Sequence, residues 1–259
     1  KSALEDNTEG TNNTAVGKGA GGNITTGSYS VALGASALAT NTTAAENTAV
    51  GFQSGYTNAT GTGLTVLGTK AGYYSTGNNN TLIGYQAGLN VSSGFENTMV
   101  GKGSGTNVTT GYQNILIGTD AQATSASVNG EITIGTSSQN NLRCNDTSIS
   151  SLSDQRDKTN IVDIPLGLDF INTTRPVSFD WDRRDGTSVG KKDFGFIAQE
   201  LKVAADATVY ADHMRLVCEE NPDRLEADPM KMFPILVKAI QELSKKNDAL
   251  EARLATLEG

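Results

Sequence analysis

One histidine, one tryptophan and two cysteines in 259 residues remove whole classes of chemistry at the outset. His213 stands alone, so a histidine-based triad would have to be built on it, and an isolated loop histidine is usually incidental. Cys144 and Cys218 lie far apart in different halves and match no metal-ligand spacing, which reads them as buried or incidental thiols; no metal or cofactor is expected. Aromatic residues are scarce at 6% and hydrophobic residues reach only 37%, poor material for a conventional globular core but suited to a narrow core repeated many times. Basic residues are outnumbered 20 to 28 by acidic ones, and a pI near 4.7 repels nucleic acid and anionic membrane surfaces alike. No apolar run approaches membrane-spanning length, so no membrane insertion is expected. Lys1 opens a polar segment with no signal-peptide pattern, and the expectation is that a longer protein continues upstream of it.

What the first half has in abundance is glycine, and the glycines are periodic. Asn13-Thr-Ala-Val-Gly17, Ser30-Val-Ala-Leu-Gly34, Asn47-Thr-Ala-Val-Gly51, Leu64-Thr-Val-Leu-Gly68 and Asn80-Thr-Leu-Ile-Gly84 are followed by Asn97-Thr-Met-Val-Gly101, Asn114-Ile-Leu-Ile-Gly118 and Glu131-Ile-Thr-Ile-Gly135. The closing glycines are seventeen residues apart at every step except Gly68 to Gly84, which is sixteen. Each copy is a short β-favouring run ended by Gly, often with a second Gly four residues on (Gly21, Gly55, Gly72, Gly88, Gly105) and then a Thr/Ser-Gly turn such as Thr60-Gly61, which predicts strand, turn, strand, turn. One copy has too few apolar atoms to bury anything alone, so copies must stack, within a chain or interwoven between chains. At about 4.8 Å per copy the stem would be on the order of 40 Å long.

The block Ser30-Val-Ala-Leu-Gly34-Ala-Ser-Ala resembles the head repeats of trimeric autotransporter adhesins, which implies a trimeric β-roll, although those repeats are usually shorter than this one. The Asn-Thr-Ala-Val-Gly repeats are also similar to those of bacteriophage tail fibres. Phe52, Tyr56, Tyr73, Tyr74, Tyr85, Phe95 and Tyr112 could offer a carbohydrate a stacking face, but packing between neighbouring copies is the favoured reading. Triplets such as Asn23-Ile-Thr25 and Asn58-Ala-Thr60 have the form of glycosylation acceptors, and turn chemistry repeated with the period explains them better.

The repeat lapses after Gly135 into a polar linker, and from Ser153 onward charge density rises and helical patterning appears. The expected organisation is a β-repeat stem over 1–140, a linker over 141–152 and a second domain over 153–259. Ser153-Asp154-Gln155-Arg156-Asp157-Lys158-Thr159-Asn160-Ile161 sets a hydroxyl and an amine five residues apart among charges, a candidate nucleophile and base. In an arbitrary sequence the same residues would be a capped turn and a solvated lysine.

Ser-Asp-x-Arg-x-Lys-x-Asn-Ile, however, resembles the start of the peptidase S74 family, the C-terminal intramolecular chaperone of phage tailspikes and tail fibres. Leu168-Asp-Phe-Ile-Asn172, Arg175-Pro176-Val-Ser-Phe-Asp-Trp181, Phe194-Gly-Phe-Ile-Ala-Gln-Glu200 and Leu236-Val-Lys-Ala-Ile-Gln-Glu-Leu243 follow in the family's order. The resemblance implies an α+β chaperone domain, a homotrimer, and a single-turnover self-cleavage at the Leu152-Ser153 bond by a Ser-Lys dyad. Ser153 would be the nucleophile and Lys158 the base, which requires desolvation or neighbouring positive charge to favour the neutral amine. Arg156 could stabilise an oxyanion, Asp154 and Asn160 could hold the loop, and Gln199 and Glu200 could line the cleavage site, with packing and helix capping equally good explanations for the last two. It further implies a virion tail fibre as the setting, a host cell-surface receptor (carbohydrate among the candidates), upstream fibre or virion proteins as partners, and release of the cleaved domain in the host cytoplasm. Phe194 to Leu201 reads as a strand running into a helix.

From about residue 230 to 258, Phe233, Leu236, Ile240, Leu243, Asn247, Leu250, Leu254 and Leu257 alternate by three and four, a parallel coiled-coil stripe with Asn247 as its one polar core position. A repetitive stem invites register errors, because a chain displaced by one copy still matches strand to strand; a coiled coil that gathers three ends would convert that search into a local one. Cleavage afterwards would leave the stem kinetically trapped. The competing class is a bacterial trimeric surface adhesin or fibre with a permanent, non-cleaving C-terminal cap. A polysaccharide-degrading enzyme would need paired carboxylates that the stem does not offer.

Overall fold

The computed structural model describes residues 1–136, 143, 153–184, 186, 188–219, 221–223 and 225–258. It divides into two compact units, residues 1–141 and 142–259.

The first unit is a parallel β-solenoid of about seven turns. Its eight three-residue strands are β1 (Thr14–Val16), β2 (Val31–Leu33), β3 (Thr48–Val50), β4 (Thr65–Leu67), β5 (Thr81–Ile83), β6 (Thr98–Val100), β7 (Ile115–Ile117) and β8 (Ile132–Ile134), hydrogen-bonded in sequence order. Each pairs with the next in register within the one chain, as in Thr14 with Val31 and Ala15 with Ala32. That answers whether coils stack or interweave: the rungs are successive coils of a single chain. The sixteen-residue step leaves the ladder intact, since Thr65 pairs with Thr81 and Val66 with Leu82. The missing residue is absorbed in the Ser75-Thr76-Gly77 turn, where both Thr76 N and Gly77 N donate to Ser92 O.

Because a strand's side chains alternate, the middle residue of each triplet points inward and its two neighbours point out. Ala32, Ala49, Val66, Leu82, Met99 and Leu116 are buried accordingly. The middle residue grows from Ala15 to Leu116, and the position four residues after the closing glycine is glycine from Gly21 to Gly105 except at Leu38. A Cβ on Gly72 would lie 2.8 Å from Leu82 Cδ1 and 2.9 Å from Val66 Cγ1, whereas the coil with small Ala32 carries Leu38 at that position, fully buried. The column of closing glycines has a different origin. At Gly51, φ is +132°, and a Cβ would sit 2.6 Å from the carbonyl oxygen of Gly68, so neither backbone nor space admits a side chain.

One strand per coil is fewer than the strand-turn-strand-turn pattern predicts. The second half of each coil is a run of turns, still bonded to the next coil through contacts such as Thr57 N to Tyr73 O and Thr42 N to Ala59 O. Left-handed residues at Gln53 and Gly55 in one coil, and at Lys70 and Gly72 in the next, break the extended backbone there.

Asparagine completes the stem. Asn47, Asn80, Asn97 and Asn114 are fully buried immediately before their strands. Each amide donates to a carbonyl of the next coil, as Asn97 Nδ2 does to Gly111 O at 2.9 Å, while its Oδ1 accepts from the next coil's backbone, as from Asn114 N at 3.0 Å. A buried amide so partnered is stabilising, and one left bare would be costly.

The second unit holds α1 (Leu168–Ile171), a hairpin-like pair β9 (Val177–Asp180) and β10 (Lys192–Gly195), α2 (Ala198–Asp206), α3 (Ala211–Met214), the short pair β11 (Val217–Cys218) and β12 (Glu226–Ala227), and α4 (Phe233–Glu258). The strand-into-helix reading of Phe194 to Leu201 holds, as does the long terminal helix. Its core gathers Phe170, Leu201, Met214, Leu216, Met232 and Ile235.

Candidate functional site

Leu152, on the other side of the expected scissile bond from Ser153, and Cys144 lie outside the described residues. Gln155–Asp157 form a single 3-10 turn, and Asp154 caps it by accepting from Arg156 N at 2.8 Å. Lys158 N closes the turn on Gln155 O at 3.1 Å. Three residues of 3-10 helix reverse the chain enough for the Lys158 side chain to return to Ser153, and its Nζ donates to Ser153 Oγ at 2.5 Å and to Ser153 O at 3.1 Å. Hydroxyl and amine are thus within hydrogen-bond reach, both exposed to solvent in the single chain.

The neighbours take other parts. Arg156 donates through Nε (3.0 Å) and Nη2 (2.6 Å) to the Asp154 carboxylate, so its charge is directed at Asp154. That side-chain hydrogen bond, with the backbone bond from Arg156 N, holds the Asp154 carboxyl below its usual range. Asn160 adopts a left-handed φ of 53°, a conformation asparagine tolerates better than most residues. Gln199 and Glu200 stand at the start of α2. Arg175 Nε donates to Glu200 Oε2 at 3.0 Å, its Nη2 pairs with Oε1, and the guanidinium holds the Glu200 carboxyl below its usual range. Both residues line a cleft of about 860 Å³ with Leu166, Phe170, Arg175 and Val203, and its lining includes neither Ser153 nor Lys158. His213 lies in α3 with its ring edge-on to Tyr210, and Cys218 is a free, exposed thiol in β11. Among the described residues no cluster of three or more His, Cys, Asp or Glu could hold a metal.

α4 has two apolar stripes set one residue apart. Ile235 and Ala239, with Met232 in the 3-10 turn just before the helix, are buried against the domain, and one turn further Glu242 Oε2 accepts from Leu168 N at 2.8 Å, capping α1. A Cβ on Gly167 would meet that carboxylate, so a side chain there would push the cap aside. The other stripe is bare: Phe233, Leu236, Ile240, Leu243, Leu250, Leu254 and Leu257 are exposed, from 41% at Leu236 to 83% at Leu257. Asn247 in the same stripe donates to Glu251 Oε1 at 2.8 Å.

Residues 153–210 match the peptidase S74 family, described as the chaperone of endosialidase. The match begins at Ser153 and supports a chaperone domain in this part of the chain. No curated protein and no solved structure matches the chain.

Within the S74-matched segment, sequence reasoning named Glu200 without its partner Arg175, 25 residues away. Glu242, beyond the match, was missed altogether. Its signal was present as the 232, 235, 239, 242 spacing, hidden beside the stronger heptad. In the stem, four of the seven aromatics stack between coils, Tyr56 on Tyr73 with ring centroids 5.0 Å apart and Phe95 on Tyr112 at 4.7 Å, while Phe52, Tyr74 and Tyr85 are half exposed. Asn58 is fully buried and accepts from Gly61 N at 2.8 Å, a turn-former with no room for a glycan.

Proposed function

We propose that this chain is a segment of a trimeric phage tail fibre or tailspike whose C-terminal unit nucleates and registers assembly of the β-stem and then cuts itself away at Leu152-Ser153. The observation that carries the assembly part is the bare heptad stripe of α4, on a helix growing out of a unit matched to a chaperone family. Seven large apolar residues aligned on one side of a 26-residue helix want like partners. Three chains gathered at that end would start their stems level, which suppresses the slipped registers that a seventeen-residue repeat otherwise allows.

The cleavage part rests on the family's chemistry and on the Lys158 Nζ to Ser153 Oγ contact. Ser153 Oγ would add to the Leu152 carbonyl carbon as Lys158 takes its proton; the Ser153 amide nitrogen would leave with that proton, and water would release the ester. The virion setting, the host receptor and the upstream partners belong to the same reading.

Intact mass and sedimentation of the parent chain beside Ser153→Ala and Lys158→Ala test it. The expected result is a fragment beginning at Ser153 in the parent, and uncleaved trimers in both variants. A trimeric parent without that fragment removes autoproteolysis and favours the permanent cap of an adhesin-like fibre; a monomeric parent removes assembly.

A further inference from the structure

We propose that the outward face of the eight-stranded sheet is the surface on which the stems of three copies of this chain meet; this rests on the trimer-assembly reading above. The third residue of every strand points outward, and all eight are aliphatic: Val16, Leu33, Val50, Leu67, Ile83, Val100, Ile117 and Ile134. None is buried in the single chain, with Val16 57%, Leu67 48% and Ile134 62% exposed. The first residues, also outward, are β-branched in every rung, from Thr14 to Ile132. Sixteen outward positions therefore carry no charged side chain, although the stem holds Lys18, Glu46, Lys70, Glu96, Lys102 and Asp120 at its corners.

A solvated sheet face would tolerate Lys or Glu on alternate residues, and a face left to water along eight rungs would be an aggregation hazard. The stripe runs for about 34 Å at one strand spacing per rung, longer than the apolar patches monomers usually leave exposed. Its chemistry selects the occupant. A column of aliphatic side chains flanked by threonines offers no charge to a charged ligand, and a partner that fills it rung by rung needs the same repeat. A second copy of this chain, held parallel and level by α4, has that repeat and the same stripe.

The test is disulfide trapping in the full chain carrying Cys144→Ser and Cys218→Ser. Leu67→Cys places a thiol in the stripe, Thr60→Cys places one on an exposed turn away from the sheet, and Leu250→Cys reports pairing of α4. The expected outcome is linked chains at Leu250→Cys, and on the order of tenfold more linked product at Leu67→Cys than at Thr60→Cys. Linking at Leu250→Cys with no excess at Leu67→Cys overturns the stripe as the meeting surface and leaves assembly through α4 standing. No linking at any position, in chains that sediment as monomers, overturns the assembly reading and this inference together.

Discussion

In the stem, residue after residue is bonded to its counterpart sixteen or seventeen positions on, whereas in the C-terminal unit the defining contacts join unlike segments: Glu242 to Leu168, Arg175 to Glu200, Lys202 to Glu219. The stem's buried polar side chains, among the described residues, are serines and asparagines, of which Asn47, Asn80, Asn97 and Asn114 repeat the same bonds from coil to coil while the Asn41 amide is buried without a partner. Ion pairs in the second unit are exposed and contribute little each. The difference is one of what each region leaves undone. The stem bonds coil to coil through its own backbone and leaves the outward aliphatic face of its strands to water, while the C-terminal unit leaves the heptad stripe of α4 bare.

The comparison can be broken most severely at that bare face. Leu243→Lys puts a charge into the α4 stripe, and full loss of trimer by sedimentation is expected, with the stem recovered mainly as slipped or aggregated species. Retention of trimers would show that the stem registers itself. Gly51→Ala attacks the other side of the contrast. With φ at +132° and a Cβ 2.6 Å from Gly68 O, the added methyl should cost the stem about 3 kcal/mol, read as an earlier melt of the β circular-dichroism signal. The α4 helical signal should melt where it did before.

Asn97→Ala sharpens the account of the stem. It leaves Gly111 O and Asn114 N without their buried partner, an expected loss of about 2–3 kcal/mol. Asn90→Ala removes a bond to Thr106 O that is shorter, 2.7 Å, but exposed, and should stay within about 0.5 kcal/mol because water replaces it. The smallest effect is expected from acid. Glu200 and Asp154 are held below the ordinary carboxylate range by their arginines, so their contribution is present above the unfolded carboxylate pKa and is lost as pH falls through the lower folded value. Trp181 donates to Asp193 and its fluorescence follows that carboxylate, so the slight acid loosening is read as a fall in the thermal melt of the second unit that Glu200→Gln should lessen.

Legibility differed between the regions for the same reason. Closing glycines, the sixteen-residue step and the heptad of α4 are spacings along one chain, so counting finds them. The Ser153 and Lys158 side chains meet across a single capped turn, a local event that a five-residue spacing permits. Arg175 with Glu200, and Glu242 with Leu168, depend on how the helices pack, and no spacing announces them. Arg156, a candidate to serve a developing oxyanion, pairs with Asp154 in the single chain, because a carboxylate two residues away competes for it first.

By itself the sequence determined the period, the one strand that ends at each closing glycine and the existence of an apolar stripe on the last helix. Tertiary structure alone decided that coils stack within one chain, that the middle residue of each triplet faces in, and that asparagines form a buried ladder. It also decided which of two adjacent helix stripes is covered. Periodicity is a property of covalent order, but inside and outside are assigned only when the chain closes on itself and one face is taken from water.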